Sequence, residues 1–356
     1  MLNLLRSFAR HGAMFLPVLL SGLAAAQLPD PVERTAPLRV YWNVITDASI
    51  LQRGGQGTDW AAMVNLDGLP LRRDIVVLYE HRLGNFPKAG PQEIAQDPNY
   101  MDAHLAKVRR DIAQQIPDPE FSGVAVIDYE TWNLQWDLMV GPVVQAWTRH
   151  VQSMNPSPIA RLGGDARNAV LRETYDRAAK DFVLATIREC KALRPNAQWG
   201  MYDYPGSYGG TAALYNDPTW QKLKDRNDQL SWLWEALDVI TPSLYSWRKT
   251  VPDGAARNPR TQYTTAEHRA FLRALITESK RVADGKPVYG YVWGCYLPNA
   301  GADAGKECNS TTMEVLFDEV EHSNIDGMII WEDIGGRNQY LTFNRFTANQ
   351  LSLIHI

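Results

Sequence analysis

The chain has 356 residues, 45% hydrophobic and 21% charged, a balance that suits one large globular domain and excludes a disordered or fibrous protein. Its formal net charge of −4 at pH 7 excludes a general attraction to nucleic acid or to anionic membranes. Any preference for a charged partner must come from local groups.

The first segment, residues 1–26, places Arg6 and Arg10 before an apolar run and closes on Ala24-Ala25-Ala26. This is the layout of a secretory signal with an A-x-A cleavage site, and its apolar run is too short to span a bilayer comfortably. The expectation is a secreted or periplasmic chain beginning near Gln27, without stable membrane insertion after cleavage.

Short β-branched or aromatic runs then recur: LRVYWNVI (38–45), DIVVLYE (74–80), GVAVIDYE (123–130), WGMYDYP (199–205), DVITPSLY (238–245), PVYGYVWG (287–294) and GMIIWE (327–332). Helical patterns lie between most of them. Met101, Leu105, Val108, Ile112 and Ile116 form an apolar stripe at helical spacing. Thr264 with Glu267 predicts a capping box for a helix ending at Gly285, and Thr311 with Glu314 predicts another. VQSMNPSPIARLGGD (151–165) reads as a connection between helices. GGQGTDW (54–60) lacks the lysine and helix context of a phosphate loop.

Strands alternating with helices imply parallel βα units. The predicted fold class is α/β, a single TIM-like (β/α) barrel of about seven strands over residues 27–350, with a doubly wound open sheet as the competing fold. Polar or aromatic residues at the C-terminal ends of nearly every strand favour the barrel, because barrel sites are built at that end. The last six residues, LSLIHI (351–356), look foreign and match the translation of a common sequencing-adapter end. The natural chain is expected to diverge after about Gln350.

Cys295 and Cys308 share one loop and are expected to close a disulfide in an oxidising compartment. Cys190 falls in a helical stretch and is expected to be a buried thiol. No histidine or second cysteine stands at ligand spacing, so no metal site and no cofactor are expected.

GVAVIDYETWNLQWD (123–137) poses the chemical question. A strand sends residues i and i+2 to one face, so Val124, Val126, Asp128 and Glu130 share a side. Two acids ending a buried strand resist ionising together. A carboxylic acid held protonated that way can protonate a glycosidic oxygen. The pair is too close for the usual acid and nucleophile, which stand about 5 Å or more apart across the bond. The spacing points instead to attack by the substrate's own N-acetyl group, with one carboxylate as acid and the other orienting the amide. A salt-bridged or water-exposed acid pair at a strand end is the plain structural alternative.

GVAVIDYETW resembles the catalytic strand of the hyaluronidases, glycoside hydrolases of animals and venoms that cut hyaluronan. YWNV (41–44), LYEHRLGNFP (78–87), HLAKVRRDIAQQIP (104–117), LRPNAQWGMYDYP (193–205), NDQLSWLWEA (227–236) and TPSLY (241–245) resemble family segments in the same order, from about residue 38 to about 335. The resemblance implies that Glu130 is the acid/base and that Asp128 holds the acetamido nitrogen. It implies that Tyr202, Tyr245 and Trp331 wall the N-acetyl pocket, and that Tyr79 and Asn43 line the cleft. The partner would be a polysaccharide, hyaluronan or chondroitin, cleaved with retention. Another N-acetylated polysaccharide, chitin-like or from cell walls, is the alternative substrate, and a non-catalytic carbohydrate-binding protein is the alternative class.

Two departures stand out. Asn133 occupies the place where the family usually has arginine, and the family's long disulfides have no cysteines here. Arg248 and Lys249 could supply positive charge instead, or be a solvated loop pair. Trp132 and Trp136 could stack sugar rings or pack beneath the rim.

Overall fold

The computed structural model describes residues 37–45, 71–154, 161–206, 218–297 and 300–333. The leader-like segment, residues 54–60 and the final six residues lie outside them. The strands are β1 (Arg39–Ile45), β2 (Leu71–Arg72), β3 (Ile75–Tyr79), β4 (Val124–Asp128), β5 (Gln198–Met201), β6 (Lys249–Val251), β7 (Gln262–Thr264), β8 (Tyr289–Val292) and β9 (Gly327–Asp333). Every ladder among the described residues is parallel, so the fold is α/β. One sheet runs β2-β1-β9-β8, a second β3-β4-β5, and β6 pairs with β7 apart from both.

The segment 238–245 links the two larger sheets without forming a ladder of its own. Its bridges are Tyr202↔Thr241 (parallel) and Tyr204↔Thr241 (antiparallel) on one side and Ile240↔Val288 and Ser243↔Tyr291 (both parallel) on the other, backed by backbone bonds from Ile240, Leu244, Tyr289 and Tyr291. Pro242 lies in the middle and has no N–H to give a ladder. The predicted strand at 199–205 stops at Met201, because Asp203 turns into the left-handed region at φ 57.

Strand alternation divides the interior into two layers. Val124 and Val126 face a small cluster with Tyr41, Tyr245, Tyr289, Tyr291 and Ile329. Ala125, Ile127 and Tyr129 face the larger core beneath the helices. The helix Tyr100–Gln115 buries Val108 and Ile112, and Ile116 at its end is also buried. It packs on the 30-residue helix Gly164–Leu193, in which Cys190 is fully buried, as expected.

The helix Thr265–Ala283 carries the predicted capping box, with both Thr264 and Glu267 bonds present. The helix Ser310–His322 starts earlier than its predicted box. Asn309 caps it, accepting the Thr312 backbone N–H at 3.0 Å, which serves as well as threonine would.

The cysteine expectation is corrected. Cys190, Cys295 and Cys308 are all free thiols. The antiparallel bridge at the loop pairs Cys295 with Glu307, not with Cys308. Burial keeps the Cys308 thiol protonated, with Cys295 adding to that shift.

Candidate active site

β4 ends at Asp128, and the chain leaves the sheet there, carrying Glu130 two residues beyond it. Asp128 is 7% exposed, whereas Glu130 opens onto solvent. The interaction between the two carboxyl groups raises Asp128 and lowers Glu130, so they titrate as a pair. Burial holds Asp128 well above the usual carboxylate range, and the negative charges of Glu130, Glu80 and Asp203 add to it. Glu130 is raised as well, first by desolvation and also by Glu80. A pair that keeps a proton at neutral pH can act as a general acid.

Glu130 opens into a pocket of about 230 Å³, shared with Tyr202, Asp203, Asn133 and Trp247. Tyr202 bridges this pocket to an aromatic wall. Its ring lies 6.0 Å from Tyr245, which lies 6.1 Å from Trp331 and 5.6 Å from Trp293. Trp331 donates its indole N–H to the Tyr79 hydroxyl at 3.0 Å. Asn43 sits beside Trp331 in the β1–β9 register, and its Nδ2 is buried without a hydrogen-bond partner among the described residues. The structure thus brings Asp128, Glu130 and Tyr202 together at one end of the strands. Tyr245, Trp331, Tyr79 and Asn43 form the adjoining wall rather than the pocket lining.

Three residues at the site were missed from sequence. Asp203 lies beside the pocket, and burial and the Glu130 charge push its carboxyl up to about 8. The signal for it was the acid directly after Tyr202 in GMYDYP. Tyr291 is 1% exposed, its hydroxyl has no hydrogen-bond partner among the described residues, and its ring stands 4.9 Å from Tyr202. It sits within β8 rather than at its tip, where an aromatic reads as core. Trp293, two residues on, donates to Glu332 at 3.1 Å.

Trp132 and Trp136 are both buried. Trp132 lines the pocket while it stacks on Phe86 and donates to the Pro87 carbonyl, and Trp136 packs on Tyr175. Arg248 lies over the Tyr263 ring at 4.9 Å and donates to the Pro259 carbonyl, which directs its charge to β7. No helix of the described residues is long and apolar enough to cross a membrane.

The sequence pattern of the hyaluronidases matches residues 27–342. The chain belongs to the hyaluronidase family. It is 29% identical over 217 residues to the chondroitin hydrolase of Caenorhabditis elegans, covering 59% of this chain and 45% of that one. It is 28% identical to hyaluronidase-1 of Bos taurus, covering 72% of this chain and 56% of that one. The chain therefore spans about half the length of these two curated relatives. Identity to the hyaluronidase of Apis mellifera is 26%, over 91% of this chain and 85% of that one. Among solved structures, bee venom hyaluronidase in complex with a hyaluronic acid tetramer superposes with a TM-score of 0.67 at 23% identity, covering 88% of this chain and 97% of that one. That superposition shows a shared fold.

Proposed function

We propose that this chain is a secreted endo-glycosidase that hydrolyses β-N-acetylhexosaminidic bonds in hyaluronan or chondroitin, with retention. The observation that carries the reading is the Asp128/Glu130 pair, one acid buried and one open to a pocket, titrating as a pair. The relatives' names, chondroitin hydrolase and hyaluronidase, support the substrate class.

In the first step protonated Glu130 gives its proton to the glycosidic oxygen. The acetamido oxygen of the substrate attacks the anomeric carbon, and the bond to the leaving sugar breaks. Asp128 accepts a hydrogen bond from the acetamido N–H and stabilises the positive charge that develops on the cyclised ring. In the second step the Glu130 carboxylate takes a proton from water as that water attacks the anomeric carbon and reopens the ring. Two inversions give net retention. Tyr202, Tyr245 and Trp331 would close the N-acetyl pocket against water, and Tyr79 and Asn43 would contact the sugar chain.

The framework we infer for this chemistry is one catalytic domain over residues 27–350, a closed barrel of seven staves in chain order. Supporting it are the bridges that join 238–245 to β5 and β8, the proximity of β1 to β3, and an inner cluster fed by β1, β3, β4, β8 and β9.

A second reading is the same chemistry on another N-acetylated polysaccharide, chitin-like or from cell walls. Asn133 and Asp203, both at the pocket, favour it, since neither supplies the positive charge that would pair with a uronate carboxylate. A reducing-sugar assay against hyaluronan, chondroitin, chitin oligomers and peptidoglycan separates the readings. Glu130→Gln, which keeps the shape but cannot donate a proton, is expected to lower turnover on the cleaved polymer by about 10²–10⁴. Near-normal turnover in that variant would make the acids structural.

A further inference from the structure

Glu80 follows Tyr79 at the end of β3 and has no part in the chemistry above. Its Oε1 accepts the backbone N–H of Glu130 at 2.7 Å and that of Thr131 at 2.5 Å. Its Oε2 accepts the Thr131 hydroxyl at 2.6 Å. All three donors belong to the turn that carries Glu130 out of the sheet. Such a turn has left its ladder and must find other acceptors for its backbone N–H groups. A carboxylate is a stronger acceptor than a neutral group and can take several donors at once.

Two further bonds run from the same turn to the loop after β3. The Tyr129 hydroxyl donates to the Leu83 carbonyl at 2.7 Å, and the Trp132 indole to the Pro87 carbonyl at 2.7 Å. Both fix buried side chains on the outer layer. The Glu80 bonds differ in kind, because one of them is made to the backbone of Glu130 itself.

We propose that Glu80 is a positioning residue for the acid, gripping the Glu130 backbone so that the Glu130 carboxyl stays aimed into the pocket beside Asp128. The proposal rests on the reading of Glu130 as the acid/base. Charge gives Glu80 a second effect in the same direction, since its repulsion helps hold a proton on both members of the pair. The other groups facing the pair are Asp203 and Tyr202 beyond β5, Tyr245 on the linking segment and Tyr291 on β8. Asp203 is pushed up to about 8, and burial holds the three tyrosines neutral. Glu80 is thus an outside charge that acts on both members of the pair.

The test is Glu80→Ala and Glu80→Gln in the full chain, with kcat and KM measured across pH on whichever of hyaluronan, chondroitin or chitin oligomers the wild type cuts. Glu80→Ala is expected to lower kcat about 10-fold or more with KM little changed, because positioning acts on the bound complex. Glu80→Gln keeps one acceptor oxygen and retains more of kcat. In both, the alkaline limb of the kcat profile moves to lower pH by roughly 1 pH unit. A ¹³C NMR titration of the Glu130 carboxyl in Glu80→Gln reads the same displacement without turnover. If Glu130→Gln is dead while both Glu80 variants keep the wild-type profile and titration, the Glu80 role is overturned and the acid assignment stands. If Glu130→Gln keeps its turnover, both fall together.

Discussion

The Trp331 indole N–H rests on the Tyr79 hydroxyl at 3.0 Å, joining two residues 252 positions apart, one in the C-terminal half of β9 and the other at the tip of β3. Both belong to the wall beside the acid pair, and neither ring can shift without the other. Tyr79→Phe removes the acceptor and leaves the ring. It is expected to cost about 1 kcal/mol of stability and to raise KM several-fold while kcat changes less. Unchanged Tm and KM would mean that the bond contributes nothing.

Asp128→Asn is expected to separate stability from activity. Asp128 is raised in the folded protein, so the folded state holds the proton more tightly than the unfolded chain does. Stability from this group is therefore fully present below the ordinary carboxylate range, near pH ~4, and is lost as pH rises toward the elevated folded value. Asparagine never ionises and keeps a donor toward Glu130. The variant should be inactive, yet more heat-stable than wild type at pH 8, with the gain shrinking toward pH 4. A gain that is flat across pH would contradict the sign.

The three thiols should all be countable. Labelling of unreduced, denatured protein is expected to modify Cys190, Cys295 and Cys308. Finding one reactive thiol would restore the Cys295–Cys308 crosslink expected from the sequence.

Gly84 has φ 65, and a Cβ there would come within 2.4 Å of the His104 ring. That ring cannot yield, because Nε2 is bonded to Thr186 at 2.9 Å and Nδ1 takes the Asn85 N–H at 3.0 Å. Gly84→Ala should therefore cost roughly 1–3 kcal/mol, read as a lower Tm. Wild-type Tm would show that the loop after β3 re-forms at no expense.

Periodicity made much of the fold legible. The i, i+2 pattern of GVAVIDYE assigned Val124 and Val126 to one interior layer and Ala125 and Ile127 to the other, as found. The Thr264/Glu267 box marked a helix start to the residue. Where competing local chemistry was equally good, pattern reading slipped, as at Asn309, which outcompeted a threonine two residues later. The site was legible where an unusual residue type ended a strand, as with Asp128. It was not legible where a common type did ordinary-looking work. Tyr291 reads as core, and Glu80 reads as a surface acid until the turn it grips is seen in three dimensions.

The linking segment 238–245 has a mechanical consequence. Its backbone binds both neighbours: Ile240 and Leu244 donate to the Pro287 and Tyr291 carbonyls, Tyr289 and Tyr291 donate to the Ile240 and Pro242 carbonyls, and Asp238 donates to the Trp199 carbonyl on the other side. Tyr202 follows one neighbour and Tyr245 ends the segment itself, their rings 6.0 Å apart. The spacing of these two rings is therefore set by the same bonds that join the two larger sheets, and a change that loosens the joint is expected to move the wall with it.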